Sequence, residues 1–268
     1  MYNCRIKNDK KIEIMSENKE NKQYIKMTQT PVPKLLASLS VPTIISMLVT
    51  NVYNMVDTAF VGKLGTSASG AIGIIFGFMA ILQSVGFLFG QGAGSLMSRQ
   101  LGSKNKEEAS RIGSTGTFLA FTLSIVVALI CFIFIDSLVF GLGSTPTIAP
   151  YAKDYAKFIL LSAPFIVTSF TLNNLLRYEG KAYLGMIGLI VGAVLNIGGD
   201  PLFMFVFDMG ISGAGLSTCL AQIVSFFILL SFFLRGKTQC VLSFKNVSFK
   251  LPRIGNIVAT GLPSLLRQ

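Results

Sequence analysis

Residues 183–207 read YLGMIGLIVGAVLNIGGDPLFMFVF. Asp200 is the only charged side chain in these 25 residues. As a helix the stretch would be roughly 37 Å long, more than the roughly 30 Å of a bilayer's hydrocarbon core. Polar and apolar residues do not alternate, so it is not a barrel strand. Within lipid the backbone must satisfy its own hydrogen bonds, which leaves a helix. Gly198, Gly199 and Pro201 surround the acid and suggest a locally open backbone lining a cavity. A carboxylate in such a run costs at least a few kcal/mol, and the default reading of one is functional.

Five further apolar spans lie outward from this one, at about 35–61, 67–98, 112–135, 155–176 and 213–234. The second is long and rich in glycine, which suggests tilt or a partial break. Hydrophobic residues make up 51% of the chain and charged residues 13%, about half the charged share of a soluble domain. Mean hydropathy is +0.64. The fold class expected is all-α, a polytopic membrane helix bundle. The net charge of +11 does not indicate nucleic acid, because the cations cluster between the apolar runs. With the N-terminus inside, 19 cations fall in inner segments and only Lys63, Lys153 and Lys157 in outer loops. That asymmetry sets the N-terminus and the connector 235–253 in the cytoplasm.

Asp57 lies late in the first span and Asp200 late in the fifth, so both carboxylates fall at one depth in the outer half of the membrane. A pair there can hold a proton or a sodium ion. Asn196 and Asp200 are spaced i,i+4 and share a helix face. Asn51, Asn54 and Asp57 recur every three residues, and Thr218 enters the sixth span at the same outer depth. Oxygen ligands at one level suit a hard cation such as Na⁺. The alternative for each single Asn or Thr is an interhelical hydrogen bond, and for those residues taken singly it is the favoured reading. With no histidine in the chain, proton chemistry must use carboxylates. Cys4, Cys131, Cys219 and Cys240 show no CxxC spacing and read as free thiols. Glu107, Glu108, Asp136, Asp154, Glu179 and Asp208 read as loop or interfacial acids. Glycines between Gly86 and Gly94 follow no strand and lack a GK[ST] ending, so they read as helix packing.

Several motifs in order resemble one family. Residues 55–65, MVDTAFVGKLG, are similar to the first-span signature of multidrug-and-toxin-extrusion (MATE) exporters. GQGAG at 90–94, SRQLG at 98–102, NIGGDP at 196–201, GISGAG at 210–215 and GLPS at 261–264 continue the likeness. Acids at Asp57 and Asp200 together resemble the bacterial and archaeal DinF-like and MepA-like branch. The resemblance implies twelve helices in two six-helix lobes that face alternately in and out. It implies a cation site on Asp57, Asn196, Asp200 and Thr218 with Tyr155 nearby, a cavity-lining Asn173, and a hinge at Pro42. Asn51 and Asn54 join Asn173 as expected cavity residues. The segment Gly261–Leu266 is similar to Ser40–Ile45, as if the chain restarts. The organisation expected is a cytoplasmic polar tail at 1–33, a six-helix N-lobe at 34–234, a cytoplasmic connector at 235–253, and at 254–268 the start of helix 7 and a truncated C-lobe.

The function expected is antiport in the cell membrane, not enzymatic catalysis: H⁺ or Na⁺ enters and drives out an amphipathic organic cation. No cofactor is expected beyond the transported ion. The expected partners are organic cations, membrane lipids and the missing C-terminal lobe, and not nucleic acid. An intramembrane aspartyl protease would need GxGD, and Ile197 stands where the first glycine belongs. A lipid-linked precursor flippase would need cations in the cavity to meet phosphate, and spans one to six offer acids and amides instead. Cysteines introduced at Ser103 and Ser248 are expected to resist an impermeant maleimide in intact cells and to react after permeabilisation. Labelling from outside would reverse the topology.

Overall fold

The computed structural model describes residues 29–267 together with Ile25 and Met27. Most of the polar tail expected at 1–33 lies outside the described residues. Six long helices are long and apolar enough to cross a membrane. They are α1 (Val32–Gly62), α2 (Thr66–Gly102), α3 (Lys106–Ile133), α5 (Ala149–Tyr178), α6 (Ala182–Pro201) and α7 (Gly210–Leu234). A short α4 (Ile135–Gly141) and an amphipathic α8 (Leu251–Arg267) complete them. No strand occurs among the described residues. The chain is an all-helical, multi-pass membrane protein.

Several helices start before their apolar runs. α3 begins at Lys106, where Asn105 Oδ1 accepts the Glu108 N–H at 3.1 Å and Glu107 and Glu108 occupy the first turn. Capping oxygen and acids at that end satisfy the free N–H groups and the helix dipole. These turns are polar because they stand outside the hydrocarbon.

Of the two alternatives expected for α2, tilt or a partial break, the break is absent: it is one continuous helix of 37 residues, about 55 Å long. Its glycines are used for contact. A Cβ on Gly90 would stand 2.8 Å from the Asn174 Cβ and 3.0 Å from the Thr171 Cα, and one on Gly86 would stand 2.9 Å from the Val167 carbonyl oxygen. α2 and α5 therefore touch backbone to backbone. The Thr171 hydroxyl donates across that contact to the Gly86 carbonyl at 3.2 Å. Between helices in lipid, such packing and hydrogen bonds supply the attraction that water exclusion supplies elsewhere.

α5 is the central element. It packs against α2, α3, α6 and α7, and most of its side chains from Ile166 to Leu176 are buried. α1 leans chiefly on α6, and of its 31 residues only Ser46, Tyr53, Asp57 and Val61 are buried. α1 runs on through Pro42, where the Ser46 hydroxyl donates to the Pro42 carbonyl at 2.8 Å.

The open backbone expected around Asp200 is also corrected. α6 stays helical through Gly198 and Gly199 to Pro201. Pro201 has no N–H to return to the preceding turn, and the chain widens into a π-turn at Leu202–Val206 that closes with Phe207 N to Leu202 O at 3.0 Å.

α8 lies against α2, with Gly261 seated on the Leu88 carbonyl and Gly92 on the Ile257 carbonyl. Ser264 Oγ donates to Gln91 Oε1 at 2.7 Å, and Arg253 pairs with Glu108 at 2.5 Å.

Gly90→Ala is expected to lower the thermal unfolding temperature of the detergent-solubilised protein by several degrees, a cost of about 1–3 kcal/mol for a methyl group that meets backbone. Gly73→Ala in the same helix meets nothing within 4 Å and should leave it unchanged. Equal melting of both variants would remove the close-contact account.

Candidate functional site

α1 presents Asp57 to the bundle because burial along it recurs at Tyr53, Asp57 and Val61, an i,i+4 series on one face. α6 presents Asn196 and Asp200 by the same spacing. α5 contributes Tyr155 and α7 contributes Ser217 and Thr218. All the side chains named are at most 8% exposed, and Asp200 is fully enclosed.

Tyr155 Oη donates to Asp57 Oδ2 at 3.3 Å. Asn196 Nδ2 donates to Asp200 Oδ1 at 3.3 Å and to Thr218 Oγ1 at 3.1 Å. Ser217 Oγ donates to the Asn196 carbonyl at 3.1 Å and ties α7 to α6 at this level. Asp57, Asn196, Asp200, Thr218 and Tyr155 thus gather into one cluster built from four helices. α1 and α5 make no extensive contact elsewhere, so the Tyr155–Asp57 bond is a side-chain bridge between them.

The cluster is rich in acceptors. Asp57 Oδ1, Asp200 Oδ2 and Asn196 Oδ1 are buried and have no hydrogen-bond partner among the described residues. No ion pair of the described residues reaches either aspartate. Two carboxylates taken out of water without a cationic side chain among the described residues are costly to hold in the charged form. Among the described residues no three His, Cys, Asp or Glu side chains converge, as a transition-metal site would require.

Beside the cluster lies a cavity of about 10 Å³, close to the minimum for one water. Thr50, Tyr53, Asn196, Thr218, Gln222 and Ser225 give it a polar wall.

The other expected residues lie elsewhere. Asn51 is exposed and Asn54 partly buried, since three-residue steps drift around the helix while four-residue steps hold the face. Tyr53 is the α1 residue that joins Asp57. Asn173 is buried near the far end of α5, roughly 27 Å along the helix from Tyr155, where its Oδ1 accepts from Arg177 at 3.4 Å. Pro42 is roughly 22 Å along α1 from Asp57.

Sequence reasoning missed Tyr53, Gln222 and a third buried acid. Glu179, read as interfacial, is 2% exposed. It accepts the N–H of Gln239 at 3.1 Å and of Cys240 at 2.8 Å, and pairs with Lys181 at 3.3 Å. It clamps the connector to the α5–α6 loop. Burial, then the charge of Glu179, push the Cys240 thiol up. The i,i+4 spacing was the available signal for Tyr53; none marked Glu179.

Fold and site together define a polytopic helical membrane protein with a carboxylate pair enclosed between its spans. A sequence model described as MatE matches residues 42–202, well over half the chain. The chain belongs to the MatE family. It is 28% identical over 248 residues to the multidrug export protein MepA of Staphylococcus aureus strain MRSA252, which covers 92% of this chain and 55% of that protein. Among solved structures it resembles a MATE protein in a bent conformation (TM-score 0.81, 28% identity, 87% of this chain and 52% of that one). It also resembles the outward-facing conformation of a multidrug resistance MATE family transporter of the MOP superfamily (TM-score 0.79, 30% identity, 87% and 52%). The chain spans about half the length of the relatives it matches.

Proposed function

We propose that this chain supplies the N-terminal, cation-coupling lobe of a two-lobed efflux antiporter in the cell membrane. Its amino terminus and connector 235–253 face the cytoplasm, and residues 254–268 open the second lobe. H⁺ or Na⁺ binds at Asp57 and Asp200, and an amphipathic organic cation leaves in exchange. The observation that carries this reading is the pair of enclosed carboxylates, each with an oxygen that has no hydrogen-bond partner and neither with a cationic partner among the described residues. The relatives' export role supports it.

The physical chain is short. An ion can shift a conformational equilibrium only by as much as it binds one state better than the other. The Asp57 carboxylate comes from α1, the least enclosed span, while Asp200, Asn196, Thr218 and Tyr155 come from the packed body of the bundle. An ion bridging Asp57 and Asp200 therefore binds best when α1 is drawn onto α6. Loss of the ion leaves two buried like charges that push α1 away. Pro42 in α1 serves as the hinge, and Asn51, Asn54 and Asn173 line the substrate path. Because the site exposes acceptors and no cationic side chain, a cationic substrate is preferred over a phosphate-bearing one.

Asp57→Asn and Asp200→Asn are expected each to abolish gradient-driven drug export in vesicles carrying the transporter from the complete gene, with insertion and melting temperature nearly unchanged. Asparagine keeps the size and the hydrogen bond but cannot take up a proton or give a cation full charge. Interhelical hydrogen bonds in membranes are worth only about 1 kcal/mol, so a merely structural aspartate would tolerate the amide. Asn51→Ala should cause a milder loss. Near-normal export by both aspartate variants would overturn the coupling site and leave the fold untouched.

A further inference from the structure

A second cavity, of about 380 Å³, lies at the connector end of the bundle. It forms where α3 and α7 splay: each packs on α5, and they make no extensive contact with each other. Phe118 and Phe121 of α3, Phe226 and Leu230 of α7, and Phe244 and Val247 of the connector wall it. From Leu234 to Phe226 it runs roughly 12 Å along α7 into the apolar layer.

The connector is held at its mouth by side chains of the bundle. Ser110 Oγ accepts the Val241 N–H at 3.1 Å, Ser114 Oγ that of Ser243 at 3.2 Å, and Thr115 Oγ1 that of Ser248 at 3.0 Å. Phe118 meets Phe244 and Phe249 edge to face, at 6.4 and 5.6 Å between ring centroids. These bonds, with Glu179, fix an otherwise irregular segment over an apolar groove.

Charge indicates what the groove takes. Residues 235–253 carry Arg235, Lys237, Lys245, Lys250 and Arg253 and no acid. The acids on the neighbouring elements are engaged: Glu107 with Arg111 at 2.6 Å, Glu108 with Arg253 at 2.5 Å, and Glu179 with Lys181 and the backbone. Lys245 and Lys250 are exposed and have no acidic partner among the described residues. They alternate with apolar side chains turned outward: Phe244 is 85% exposed, Phe249 65% and Leu251 83%. Aromatic rings at the headgroup level with lysines beside them are the pattern of a segment seated in a membrane interface. Basic pockets between spans at that level take anionic headgroups.

We propose that this groove is a binding site for an anionic phospholipid. One acyl chain lies between Phe118 and Phe121 on one side and Phe226 and Leu230 on the other, and the phosphate meets Lys245 and Lys250. An organic cation is repelled by the same lysines, so the groove is distinct in chemistry from the acceptor-rich carboxylate site. Occupancy ties the connector, and through Arg253 the start of α8, to the bilayer.

The test is native mass spectrometry of the purified transporter after incubation with equal dioleoyl phosphatidylglycerol and dioleoyl phosphatidylcholine. Phosphatidylglycerol should be retained preferentially. Lys245→Gln with Lys250→Gln should lower that preference by roughly 30-fold, about fivefold for each lysine. Leu230→Trp, which fills the groove, should lower retention of phosphatidylglycerol with the lysines intact; Thr117→Phe provides a second filling variant if Leu230→Trp fails to fold. Equal retention of the two lipids by the unaltered protein would overturn the site. So would an unchanged preference in the double lysine variant. Loss of preference in the lysine variant with both filling variants unaffected would reduce the effect to surface attraction and overturn the groove. With tetraphenylphosphonium added to the same incubation, its retention in place of phosphatidylglycerol, lost on filling, would assign the groove to a drug and overturn the lipid.

Discussion

The backbone contact between α2 and α5 is the constraint on which the rest of this bundle depends. In lipid, burying another leucine gains little, because the tails outside are as apolar as the protein inside. Helices must come close enough for dispersion and hydroxyl bonds to act. Gly86 and Gly90 permit that on α2, and Thr171 crosses the seam to the Gly86 carbonyl. With α5 so fixed, α3, α6 and α7 can pack round it, and α1 attaches through α6. The glycine face therefore sets the position of Tyr155, and so the point at which α5 meets Asp57.

That arrangement leaves an uneven distribution of rigidity. Asn196, Asp200, Thr218 and Ser217 belong to the tightly joined α6–α7 pair, braced by Ser217 to the Asn196 carbonyl and by Ser225 to the Gly188 carbonyl. Asp57 belongs to a helix that buries few residues and reaches α5 through one tyrosine hydroxyl. A carboxylate on a loosely held helix thus stands beside one on a firmly held pair. The unpartnered oxygens sit at the place where the two parts meet.

The connector end shows a different economy. A segment with no regular structure beyond one 3-10 turn is held by side chains borrowed from α3 and from the α5–α6 loop. Glu179 is enclosed because it meets two backbone N–H groups and a lysine, which offsets much of its desolvation. The result is a basic, aromatic surface fixed beside the membrane and joined to α8 through Arg253.

The sequence by itself determined the six spans, the all-helical class and the two intramembrane acids, because length of apolar run and position of charge are one-dimensional properties that the bilayer reads directly. It also determined the Asn196–Asp200 partnership, since i,i+4 neighbours meet in any helix. Only the tertiary structure decided which face of α1 turns inward. The three-residue series Asn51, Asn54, Asp57 suggested one face, yet packing against α6 selected the four-residue series Tyr53, Asp57, Val61. It likewise decided which helix the α2 glycines face, and that Glu179 is a buried clamp. Rotation about a helix axis and partners 60 or 130 residues away, such as Glu179 with Cys240 or Ser110 with Val241, leave no mark on hydropathy or local spacing. They are fixed only when helices pack, by the shapes and unpaired hydrogen-bonding groups each presents to the next.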